Sequence, residues 1–138
     1  MRKYLPIFSD LVDKLSICQL KQIYIPENAD SYKQEIEDIL HDIDLIIEEK
    51  DIQFTAKLLY YSQIIMLANK TIWESESKAR AGGSEQDKLL KFTHSINGVR
   101  NTAKNLISQL LDERMDLKVD CLATDLPEEF GNWGIFGL

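Results

Sequence analysis

The sequence predicts an all-α fold: an antiparallel bundle of four main helices with an irregular apolar C-terminal tail. Three observations point there. Apolar residues recur at three- and four-residue intervals over long stretches, and the three prolines stand outside those stretches. The composition, 44% hydrophobic and 28% charged, is that of a packed globular chain. At 138 residues the chain is long enough to bury a real core and is read as one domain, 1–138. Helices are expected at about 9–25, 29–49, 53–80 and 85–114, with the tail over 115–138.

The first helix is capped by Ser9 or Asp10 and ends before Pro26. Leu11, Val12, Leu15, Cys18 and Leu20 give it a broad apolar side, with Cys18 as a small core residue. From the residues alone Asp13, Lys14 and Lys21 read as a solvated face. Cys18 and Cys121 are isolated, and nothing resembles a secretory apolar region or a span of ~20 apolar residues, so the expected setting is cytoplasmic and reducing. A net charge of −7 speaks against a general nucleic-acid binder, which needs clustered Lys and Arg to neutralise phosphates.

The second helix carries the clearest periodicity, through Tyr32, Ile36, Ile39, Leu40, Ile43, Ile46 and Ile47. Its other face is acidic: Glu35, Glu37, Asp38, Asp42, Asp44, Glu48 and Glu49, with His41 among them. Asp38 and His41 are three apart and could reach one ion. A di-metal bundle, however, repeats the Glu-x-x-His element on a second helix, and here Lys91 precedes His94. No metal site is assigned.

Between Leu58 and Ala68 the third helix is apolar on nearly every side except at Tyr60, Tyr61, Ser62 and Gln63. Such a helix is covered all round, by its neighbours or by a second subunit, which makes a homodimer an expectation. The fourth helix opens on a Ser84-x-x-Asp87 capping pattern. Gly98 inside it costs up to ~1 kcal/mol relative to Ala, which suggests close helix approach or room for a ligand. The tail interleaves Leu122, Leu126, Phe130, Trp133, Ile135 and Phe136 with glycines, and is expected against the bundle or a neighbouring subunit.

Two segments carry the candidate site. At about 100° per residue, Asn69, Trp73, Glu76 and Arg80 fall on one narrow stripe that continues the apolar face of the third helix. Polar groups entering a buried seam need partners, and His94, Asn97, Arg100, Asn101 and Lys104 on the fourth helix can supply them. In an antiparallel hairpin Glu76 and Arg80 would approach the first turns of the fourth helix, with Asn69 and Trp73 reaching further along it. The candidate ligand-binding set is therefore Asn69, Trp73, Glu76, Arg80, Asn97, Arg100, Asn101 and Lys104. A second role fits the same residues: a structural network that fixes the hairpin register.

The pattern Asn-x-x-Ile-Trp-x-x-Glu-x-x-Ala-Arg at 69–80, followed by Ile-Asn-x-x-Arg-Asn at 96–101, resembles paired segments of uncharacterised bacterial all-helical families. Members of those families are often encoded among glycosyltransferase and cell-surface polysaccharide genes. The opening Leu11–Lys21 is similar to the openings of related members and draws attention to Asp13, Lys14 and Lys21. Ser95 departs from the pattern, which has an Asp beside the Ile. The resemblance implies a shared fold and a shared pocket, and no reaction.

Two function classes follow. The first is a non-catalytic binding or accessory module that holds a small polar or anionic ligand, a sugar or nucleotide, between the third and fourth helices. Trp73 would stack on a ring, and Arg80, Arg100 and Lys104 would meet an anion. The second is an enzyme similar to the all-α Mg²⁺-dependent nucleotide pyrophosphohydrolases. Glu35-x-x-Asp38 matches one of their carboxylate elements, but Glu48-Glu49 is followed by Ile52 where a third carboxylate belongs, and the order is reversed. Serine in a nucleophile-elbow context and a phosphate-cradling Gly loop are both absent.

Overall fold

The computed structural model describes residues 3–83, 86–115 and 130–135. They form four α-helices, α1 (Phe8–Tyr24), α2 (Ala29–Lys50), α3 (Ala56–Arg80) and α4 (Gln86–Leu110), with 3-10 turns at Pro26–Asn28 and Gly131–Trp133. The fold is all-α, and no strand occurs among the described residues.

Local chemistry sets the boundaries. Pro26 cannot extend α1 and instead opens the 3-10 turn that leads into α2. Helix α2 stops at Asp51, whose φ of 49° is left-handed, and the Ile52 N–H returns to the Ile47 carbonyl at 3.0 Å. That pattern is a Schellman ending. Helix α3 starts three residues later than its apolar pattern suggests because Thr55 caps it, its hydroxyl accepting the Leu58 N–H at 3.2 Å. Helix α4 ends at Leu110 rather than near Arg114: Asp112, at φ 55°, makes a second Schellman turn, closed by Glu113 N–H to the Ser108 carbonyl at 2.8 Å. The expected cap at Ser84 lies outside the described residues.

The main core joins three helices. Phe8 of α1 packs with Leu58, Ile65, Ala68 and Ile72 of α3 and with Ile96, Val99, Ala103 and Ile107 of α4. Each fully buried side chain of this size is worth about 1.5–3 kcal/mol relative to exposure. A smaller cluster of Leu11, Cys18 and Ile39 fastens α2 to the opposite side of α1. Helix α1 is thus the central element, packed against all three others, while α2 lies mainly against α1. Ile39 is the one fully buried residue of α2, despite the strength of its apolar repeat.

The described part of the tail lies on the bundle. Phe130 and Ile135 are buried in the main core, and Phe130 meets Phe92 of α4 at a ring separation of 5.9 Å. Gly134 has a left-handed φ of 78°, and a Cβ there would fall on the Tyr60 hydroxyl, so only glycine lets this turn approach α3 so closely. Leu122, Leu126 and Phe136 lie outside the described residues. The all-round cover expected for α3 is incomplete within one chain: Leu59 and Leu67 remain 47% and 55% exposed.

Candidate functional site

A polar seam runs through the interface of α1 with α3 and α4. On α1, spacings of four and three put Ser9, Asp13 and Ser16 on one face; on α4, spacings of four align Arg100, Lys104 and Ser108. The two rows meet rung by rung. Ser9 and Ser108 share a hydroxyl hydrogen bond of 3.2 Å. Lys104 Nζ lies 3.1 Å from Asp10 and 3.7 Å from Asp13.

The innermost rung is built on Asn69, 3% exposed on α3. Its amide nitrogen donates to Asp13 Oδ1 at 2.7 Å and to Ser16 Oγ at 2.6 Å, and its Oδ1 accepts from Arg100 Nη1 at 3.3 Å. A carboxylate only accepts and a guanidinium only donates, so the amide is fixed in this orientation. The Ser16 hydroxyl donates to the Asp13 carbonyl at 2.8 Å, which leaves its lone pair for Asn69. One side chain thereby ties three helices together. Arg100 is less well served: its buried Nε–H has no acceptor among the described residues.

At its outer end the seam opens into a cleft of about 250 Å³ between the start of α1 and the end of α4. Asp10, Lys104, Asn105, Ser108 and Arg114 line it, with Tyr4 at the mouth. Asp10 accepts the Ile7 N–H at 3.2 Å and is shared by Lys104 and by Arg114, 3.8 Å away. Arg114 bonds the Leu5 carbonyl and lies 4.0 Å from the Tyr4 ring centroid. Lys104 belongs to both the seam and the cleft.

Comparison of the chain with protein-family models, with curated proteins and with solved structures gives no match. The geometry is therefore the basis for reading this site.

Of the predicted set, Asn69, Arg100 and Lys104 come together, and they do so around α1 rather than within the α3–α4 hairpin alone. The others are placed differently. Trp73 stacks on Tyr24 at 5.5 Å and braces the end of α1. Glu76 and Arg80 pair with each other at 3.7 Å, with Arg80 80% exposed. The Asn97 amide donates to the Thr93 carbonyl of its own helix at 3.2 Å, and Asn101 is half-buried beside it. Gly98 is buried in α4 and accepts at its carbonyl from Thr102.

Asp13 is a correction in the other direction. It is no solvated-face residue, because α1 buries two opposite sides, Leu11 and Cys18 toward α2 and Phe8, Ser9, Ser16 and Leu20 elsewhere. The signal in the sequence was the alignment of Asp13 with two serines and Leu20 on one helical face. Lys14 does lie on the surface, 4.0 Å from Glu35, and Lys21 rides over the Tyr32 ring at 5.9 Å. The α2 carboxylates do not gather: Asp38 accepts from Gln34, and His41 meets Asp42. Among the described residues no three His, Cys, Asp or Glu side chains converge as metal ligands would.

Proposed function

We propose that the chain is a non-catalytic helical binding module that takes the anionic group of a small polar ligand, a nucleotide sugar or phosphorylated sugar, at Arg100 and Lys104. The observation that supports this most is the buried Arg100 Nε–H without an acceptor. Leaving such a donor unpaired costs about 1–3 kcal/mol, and a phosphate or carboxylate oxygen would supply the missing bond in charge-assisted form. Lys104, one turn away on the same face, adds a second cation and opens onto the cleft. Asn69 and Asp13 hold the two cations in place without spending the Arg100 Nε. No specific observation favours the Mg²⁺-dependent hydrolase reading.

A thermal-shift screen against nucleoside triphosphates, nucleotide sugars and sugar phosphates, with and without Mg²⁺ or Mn²⁺, tests the proposal. A ligand at a hundred times its Kd adds about 2.7 kcal/mol to the apparent stability. The expected result is a metal-independent rise in Tm that Arg100→Gln abolishes. No rise with any of these ligands, or an equal rise in Arg100→Gln, would count against the site.

A further inference from the structure

An uncharged groove of about 490 Å³ runs along α3 at Tyr60, Leu67 and Trp133. The cleft between α1 and α4 differs from it in having a wall that no helix supplies. Tyr4 and Ile7 line the cleft with Lys104 and Ser108, and both precede the first residue of α1. Lys3, Tyr4, Leu5 and Pro6 are all exposed, whereas Phe8, where α1 begins, is buried. Apolar burial therefore anchors the chain from Phe8 onward and contributes little before it.

Polar contacts hold the exposed segment instead, and they run through two side chains. Arg114, just past the end of α4, donates from Nη2 to the Leu5 carbonyl and sets its guanidinium 4.0 Å from the centroid of the Tyr4 ring. Asp10 accepts the Ile7 N–H at 3.2 Å and lies 3.8 Å from the same Arg114 nitrogen. Pro6, between the two anchor points, has a fixed φ and no N–H to bind elsewhere, which stiffens the piece that Arg114 grips. We propose that residues 4–6 are a lid over the cleft, hinged at Ile7 and latched by Arg114. A segment with so little buried apolar surface opens locally at far less cost than the bundle unfolds. With Arg114 released the lid swings about Ile7 and uncovers Lys104, whose side chain is 23% exposed while the lid is closed. The latch stands whether or not the ligand proposed above binds.

Two readings on the full chain test the lid, each in wild type and in Arg114→Gln. Brief exposure to trypsin, followed by mass spectrometry at the bond after Lys3, reports how often the segment is free to enter a protease. Acylation of lysines reports access to Lys104, with Lys14, 60% exposed on the surface, as the reference. Arg114→Gln is expected to speed both cleavage after Lys3 and labelling of Lys104 several-fold, with labelling of Lys14 and the helical circular-dichroism spectrum unchanged. Should Arg114→Gln lose helicity, Tyr4→Ala, at an exposed side chain, removes the other half of the ring contact and gives the same reading. Equal cleavage after Lys3 in wild type and in a folded variant overturns the latch. Faster cleavage without faster Lys104 labelling overturns the lid, because the segment would then be released without uncovering the cleft.

Discussion

Asn69 shows how much one residue can carry. Its amide meets a carboxylate, a hydroxyl and a guanidinium at once, and each of those groups is held by a different helix or a different turn of the same helix. Asn69→Ala would leave Asp13 and Ser16 without their donor and Arg100 without its acceptor. The expected cost is about 1–3 kcal/mol, read as a lower urea midpoint with an unchanged slope. A loss below a few tenths of a kcal/mol would mean that water replaces the amide. Cys18 makes a second residue-scale prediction. Burial, with a smaller contribution from the Glu35 charge, pushes its thiol above the ordinary value. The protonated thiol is the form the fold accepts, so its contribution is complete below the unfolded thiol pKa and is lost as pH rises through the raised folded value. In a Cys121→Ser background, thiol titration of the native chain at mildly alkaline pH should therefore be slow and should accelerate on unfolding. Rapid native reaction would show Cys18 to be accessible.

At the scale of elements, α1 organises the molecule, and Glu113 fastens it. The Schellman turn after α4 aims the Glu113 carboxylate, 1% exposed, at the start of α1, where it accepts the Phe8 N–H at 3.3 Å. Its other oxygen lies 2.5 Å from Lys50 at the end of α2. One carboxylate thus satisfies a first-turn donor of α1 and holds the last turn of α2. Glu113→Ala removes a buried acceptor from both and should cost about 1–3 kcal/mol, measured by chemical denaturation. Less than half that would show the two helix ends to be solvated independently. The helices themselves were legible in the sequence because their apolar residues recur at helical spacing. Their ends were less so: Thr55 starts α3 through a single capping hydroxyl, and Asp112 ends α4 by adopting a left-handed backbone where glycine is the usual signal. Asn69, Arg100 and Lys104 stood out because polar residues interrupted an apolar stripe. Asp13 and Ser16 did not, because α1 is buried on two sides and a single-stripe reading assigns one of them to solvent. Glu76 and Arg80 continued the stripe in sequence, but their ion pair is with each other and Arg80 is exposed.

For the whole molecule, the pieces divide between stability and exposure. Helices α1, α3 and α4 share the main core and the polar seam, α2 covers the far side of α1, and none of the described helices is long and apolar enough to cross a membrane. Two features stand out among the described residues: the seam, where the buried Arg100 Nε–H lies one turn from Lys104 and its cleft, and the uncharged groove along α3. They lie on different sides of α3. In the proposed binding mode the ligand supplies the acceptor that the buried Arg100 Nε–H lacks. A ¹H–¹⁵N spectrum of the arginine Nε–H region, assigned with Arg100→Gln, addresses that atom directly. A slowly exchanging Arg100 Nε–H resonance is expected in the free protein, and it should shift on addition of a nucleotide sugar or sugar phosphate, with or without Mg²⁺. An Arg100 Nε–H resonance that stays in place while such a ligand raises the Tm, or that moves with none of them, would contradict it.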